Sequence, residues 1–125
     1  MESSCLFCSI PIDRIVIENG LAYAIRDGFP VTPGHSLVVP KRHVIDYFDL
    51  TPEELAACHE LLLKLRAQTH AADSTVSGFN IGMNSGTSAG QTIFHCHIHL
   101  IPRREGDVAN PRGGVRHLIP GKGDY

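Results

Sequence analysis

In Phe94-His95-Cys96-His97-Ile98-His99-Leu100, apolar residues and histidines alternate over seven positions. Alternate side chains of an extended chain share a face. His95, His97 and His99 are therefore expected to project together, successive imidazoles roughly 6.5–7 Å apart, while Phe94, Cys96, Ile98 and Leu100 enter the core. Nothing structural asks for imidazole here, since Thr or Ser would alternate as well. Two chemistries use such a row. H-x-H pairs chelate zinc, which suits a three-histidine catalytic metal site. A neutral imidazole is also a nucleophile near pH 7, and flanking histidines neutralise phosphate charge, which suits attack on phosphorus. The preceding loop, Asn84-Ser85-Gly86-Thr87-Ser88-Ala89-Gly90-Gln91-Thr92, favours phosphate. It lacks the lysine of a P-loop, but its glycines, hydroxyls and amides supply donors to surround an anion.

Cys5 and Cys8 form a second chemical feature, a C-x-x-C pair. A redox pair has this spacing, but it would sit at a strand-to-helix junction inside a βαβ pattern, and here the pair precedes any strand. Structural zinc needs four thiolate or imidazole ligands, two of which must then come from elsewhere in the chain. Cys58 and Cys96 stand alone in apolar patterns and read as small buried hydrophobes.

The elements that must position these groups follow from turns and periodicity. Cys5 to Asp13 reads as a metal knuckle or helical turn broken by Pro11. Ile15 to Glu18 and Leu21 to Arg26 are strands of a hairpin around Asn19-Gly20. A Pro-containing loop, Phe29 to Gly34, leads into a short buried strand at Ser36 to Val39, closed by Pro40. Thr51-Pro52-Glu53-Glu54 opens a helix, with Thr51 as N-cap, Pro52 at the first position and Glu54 closing a capping box. The helix should reach Ala72, with Leu55, Cys58, Leu61, Leu62 and Leu65 facing a sheet and His59 and His70 at the surface. Phe79 to Asn84 and Ile93 to Pro102 complete the strands. Strands, one long helix and strands again, without a repeating βα unit, predict an α+β fold with a mostly antiparallel sheet. About 107 to 125, rich in glycine, reads as a mobile C-terminal segment.

Composition agrees with one globular domain over residues 1–125: 42% hydrophobic and 19% charged residues. Eleven basic against thirteen acidic residues give a net charge of -2, which argues against duplex nucleic acid as a partner. No apolar run is long enough to span a bilayer, and Met-Glu-Ser-Ser lacks the basic start of an export signal, so a cytoplasmic protein is expected.

The segment Gly90-Gln91-Thr92-Ile93-Phe94-His95-Cys96-His97-Ile98-His99-Leu100-Ile101 resembles the signature of the histidine-triad (HIT) nucleotide hydrolases and transferases. Pro33 to His43 is similar to that family's second signature block, and the likeness runs from Cys5 to about Asp107. It implies a dimer of α+β subunits that binds a nucleotide and cleaves at its α-phosphate through a covalent nucleotidyl-histidine. By that resemblance His97 is the nucleophile, His99 and His35 hydrogen-bond the non-bridging oxygens, and Gln91 and Thr92 reach the bridging oxygen and leaving group. Asn84 helps hold the phosphate, Asp27 takes the ribose hydroxyls, and Ile25, with Phe7 or Ile10, walls the base. It also implies the missing zinc ligands: His43 and His95, completing a structural site with Cys5 and Cys8 over a knuckle at 1–14. After the triad, Pro102-Arg103 and Gly106-Asp107 resemble the dinucleoside-polyphosphate branch. The implied activity is hydrolysis of a diadenosine polyphosphate. Hydrolysis of a phosphoramidate such as nucleotidyl-lysine, nucleotidyl transfer, and nucleotide binding without turnover are the alternatives.

Overall fold

A computed structural model of the chain describes residues 5–125. Two short 3-10 turns, Leu6–Cys8 and Ile12–Arg14, lead into strands β1 (Ile15–Glu18), β2 (Ala22–Arg26) and β3 (Ser36–Pro40). Helix α1 (Pro52–Ala72) follows, then β4 (Val76–Gly82) and β5 (Ile98–Arg104). The five strands form one antiparallel sheet in the order β1-β2-β3-β5-β4. The fold is the expected α+β arrangement with one long helix.

The helix starts where its sequence says it should. Thr51 accepts from the Glu54 N–H, and the Glu54 side chain accepts from the Thr51 N–H, which is the predicted capping box with Pro52 in the first turn. Cys58, Leu61 and Leu65 pack on Ala22, Ala24, Val38, Ile98 and Leu100 of the sheet. Leu55 is 37% exposed, against expectation, and Glu54 takes the buried place at the helix start, its carboxylate held by a two-pronged contact with Arg42. Cys58 and Cys96 are buried as expected, and burial raises their thiols to about 11 and about 12.

The β1–β2 hairpin forms as expected, but without a positive φ at Asn19 or Gly20. Instead the Asn19 side-chain oxygen accepts from the Leu21 and Ala22 N–H groups, and its amide donates to Ala57 O and Glu60 Oε1, tying the turn to the helix. The last two strands are shifted from the sequence reading: β4 starts at Val76 rather than Phe79, and β5 runs on to Arg104 rather than Pro102. β5 begins at Ile98 rather than Ile93, because β3 pairs with it only from Ser36 to Val38 and the Pro40 carbonyl is taken by the His95 ring. β4 ends at Gly82, opposite His99, so Met83 and Asn84 have no partner strand and leave the ladder. The C-terminal segment carries a 3-10 turn at Gly114–Leu118. No helix among the described residues is long and apolar enough to cross a membrane.

Candidate active site

On the sheet face away from α1, Phe7 packs with Tyr23, Ile25, Leu37 and Val39. The Tyr23 hydroxyl donates to Phe7 O at 2.6 Å, which fixes the N-terminal turn to the sheet. Beside this patch lies a cavity of about 290 Å³ whose walls include Phe7, Ile25, Asp27, Asn84, Thr92, His97 and His99. Its lining combines apolar side chains, from Leu6, Phe7, Ile25 and Leu37, with imidazoles, an amide and a hydroxyl, a composition fit for a base and a phosphate. Ile10 packs against Phe7's cluster without lining the cavity. Arg14, Phe29 and Leu37 also line it. Sequence reasoning missed them because nothing local in their segments marks which face of the sheet they join.

The triad histidines do not share one strand. His99 lies in β5, whereas His95 and His97 precede it in a non-ladder segment. His95 is fully buried and turns toward Cys5, Cys8 and His43, and His97 and His99 line the cavity. Phe94, expected in the core, is 47% exposed, because the chain there is not held in strand alternation. Cys96 packs with Val44 and Leu50 beside Tyr47, a cluster separate from the one under the helix.

Each imidazole is oriented by a neighbour. His97 Nδ1 donates to His95 O at 2.8 Å; a carbonyl can only accept, so the proton sits on Nδ1 and the Nε2 lone pair is left available. Val31 N–H donates to His35 Nδ1 at 3.1 Å, which places the His35 proton on Nε2, and this nitrogen lies 2.8 Å from His99 Nδ1. His99 is thereby an Nε2–H donor. Burial lowers the pKa of His35, against the pull of Asp27, and burial followed by its histidine neighbours lowers that of His99 to about 4. Both rings are neutral donors at neutral pH.

Two further residues of the expected set, His35 and Gln91, are buried and do not line the cavity. His35 is 3% exposed, and its Nε2 meets Nδ1 of His99, a ring that does line it. Gln91 is buried, with its amide fully engaged: Oε1 accepts from Gly86 N–H, and Nε2 donates to Ile45 O and Ile93 O. Gln91 N–H also donates to Gly86 O, so the residue clasps both sides of Gly86 and braces the loop. Gly86 and Gly90 have φ of +94° and +95°, which that tight loop requires. Asp27 accepts from the Phe29 N–H through Oδ1, and its Oδ2 lies 3.4 Å from His35.

A metal-ligand set adjoins the cavity. The ligand atoms of Cys5, Cys8, His43 and His95 lie within 4.8 Å of one another. Cys5 Sγ is 3.4 Å and Cys8 Sγ 3.5 Å from His95 Nδ1, and Cys8 Sγ is 3.1 Å from His43 Nδ1. Around a tetrahedral zinc, sulfur and nitrogen ligands stand roughly 3.6 Å apart, so the set fits a closed structural site. His95 Nε2–H donates to Pro40 O at 2.8 Å, the outer contact that leaves Nδ1 free to bind metal. The group can hold a metal ion.

The HIT domain model matches residues 11–106. A bis(5'-nucleosyl)-tetraphosphatase (asymmetrical) of Schizosaccharomyces pombe is 35% identical over 87% of this chain and 60% of its own length. An adenylylsulfatase of Arabidopsis thaliana is 37% identical over 86% of this chain and 56% of its own. Among solved structures, a Zn-bound histidine triad family protein from Mycobacterium smegmatis superposes with a TM-score of 0.77 at 34% identity, covering 88% of this chain and 82% of that one.

Proposed function

The chain belongs to the HIT family and is a nucleotide hydrolase of that family, and from that premise we propose that it cleaves a diadenosine polyphosphate at the α-phosphate through a nucleotidyl group on His97. The observation that carries this reading is the His97–His95 hydrogen bond, which holds a proton on Nδ1 and so makes Nε2 the nitrogen that carries the lone pair in the neutral ring. The base lies against Ile25 and Phe7, and the ribose hydroxyls donate to Asp27. His97 Nε2 attacks phosphorus, an N–P bond forms, and the P–O bond to the rest of the polyphosphate breaks. A polyphosphate leaves as an anion and needs no proton at that moment. His99, aligned by His35, donates to the non-bridging oxygens as charge develops on them, with Asn84 beside it. Thr92 faces the bridging oxygen, and Gln91 acts through the loop it braces. The N–P bond withdraws electron density from the ring, and the Nδ1–H held by His95 O stabilises the resulting positive charge. Water then attacks phosphorus, the N–P bond breaks with its electron pair returning to His97 Nε2, and the proton lost by the water passes to solvent, releasing a nucleoside monophosphate and restoring His97.

Zinc held by Cys5, Cys8, His43 and His95 is structural in this reading, a closed site that ties the N-terminal turns to the sheet. The chain acts as one domain in the cytoplasm, as a homodimer, and the outer edge of β4, with Ile81 52% exposed, offers a surface for pairing. Steady-state assays with diadenosine tri- and tetraphosphate beside an adenosine phosphoramidate test the proposal. Preference for the phosphoramidate would replace the polyphosphate reading with the other hydrolytic branch.

A further inference from the structure

The Pro102-Arg103 and Gly106-Asp107 pairs behind the triad form one rigid unit in space. Arg103 Nε and Nη2 donate to the two carboxylate oxygens of Asp107, each at 2.8 Å, and Nη1 donates to Asn80 Oδ1 at 2.7 Å. Gly106, at φ +79°, makes the turn that brings Asp107 back, and Asp107 also accepts from the Arg104 N–H. Arg103 is paired with Asp107 and spends three of its five N–H groups on these contacts, which hold its guanidinium in a fixed plane. Beside the N–H group that remains on each of Nη1 and Nη2, it offers the face of a planar cation, a surface on which an aromatic ring stacks.

Arg103 lines a cavity of about 470 Å³, distinct from the one at His97 and within the size range of small-molecule sites. The two cavities are lined by neighbouring positions of the same segments. Along β5, His99 lines the first while Ile101 and Arg103 line the second; along the loop after β2, Phe29 lines the first while Val31 and Thr32 line the second. Val108, Pro111, Gly114 and His117 of the C-terminal segment also line the second cavity.

We propose that this second cavity receives the nucleoside of the leaving nucleotide, its purine stacked on the face of Arg103. The inference rests on the polyphosphate reading, because a dinucleoside substrate has two nucleosides to place whereas a phosphoramidate has one. The phosphate chain passes from the α-phosphate at His97 along the β5 side of the sheet, and the distal nucleoside settles where β5, β4 and the C-terminal segment enclose it.

Two variants test this, each checked for a native melting profile. Arg103→Ala removes the stacking surface, and Val108→Trp fills the cavity from a side chain that is already 46% exposed. The ratio of kcat/KM for diadenosine tetraphosphate to that for adenosine phosphoramidate is expected to fall about tenfold in both. An unchanged ratio in both variants, with an active parent enzyme, overturns the assignment. A binding measurement separates this from failure of the functional reading. ATP titrated into His97→Ala protein saturated with AMP is expected to fill one further site per chain, weakened about tenfold by Arg103→Ala. Absence of that site overturns the inference. A parent enzyme that hydrolyses only the phosphoramidate overturns the polyphosphate reading, and the titration then decides the cavity by itself.

Discussion

The ring of Phe7 stands edge-on to the ring of His97, their centroids 5.0 Å apart. Phe7 also lies between Cys5 and Cys8, so a residue that lines the cavity is carried on the N-terminal turn that holds two members of the candidate metal group. Holding the knuckle closed therefore holds one wall of the site.

From this follows a prediction about metal. Elemental analysis is expected to find one zinc per chain. Cys8→Ser should lower the melting temperature and weaken AMP binding by about fivefold or more, with a smaller loss in kcat, because ligand loss releases the turn that carries Phe7. Native melting and native AMP affinity in the variant would contradict both the site and its link to the cavity.

His97→Ala should lower kcat by a factor of about 10³ or more while leaving AMP affinity within a few fold, since a nucleophile acts in the chemical step and binding groups act in the ground state as well. Stopped assays paired with isothermal titration measure the two quantities. Near-native turnover in the variant would end the covalent mechanism.

Replacing Arg112 and Arg116 together by alanine addresses the C-terminal segment. Both guanidiniums stack on the Tyr125 ring, at 5.3 and 4.5 Å from its centroid, and Arg116 Nε donates to Lys122 O. If this segment closes over distal phosphates during turnover, the double variant loses kcat/KM about fivefold or more on diadenosine tetraphosphate and much less on a phosphoramidate. Equal loss on both substrates, or none, would leave the two arginines with their role at Tyr125.

Acid sensitivity should trace in part to Glu54. The Arg42 hydrogen bonds hold its carboxyl at about 2, below the ordinary 4.5. A depressed carboxyl stabilises the fold above its unfolded value, and that contribution is lost as pH falls from about 4.5 toward about 2. Glu54→Gln should cost about 1.5–3 kcal/mol at neutral pH through loss of charge-assisted hydrogen bonds. The gap in melting temperature between parent and variant should narrow across that acid window. A gap independent of pH would place the effect in packing.

Local rules written in the chain determined much of this protein. The capping box at Thr51 and Glu54, the apolar stripe of α1 and the hairpin around Asn19 depend on neighbours a few residues apart, and each appears in the fold. Ile25, Asp27, Asn84, Thr92, His97 and His99, which the family resemblance singled out, line one cavity. Strand alternation alone, however, puts His95, His97 and His99 on one face. Only the tertiary structure turns His95 to a different task, because the pairing of β3 with β5 ends at Val38, and the Pro40 carbonyl beyond it takes the His95 ring and aims it at cysteines as many as 90 residues away. The same holds for His35, placed behind His99 by a backbone N–H, and for Gln91, whose amide is taken up by three backbone groups. Residue type says what a side chain can donate or accept. Which partner it meets depends on how distant segments pack, and no local pattern encodes that.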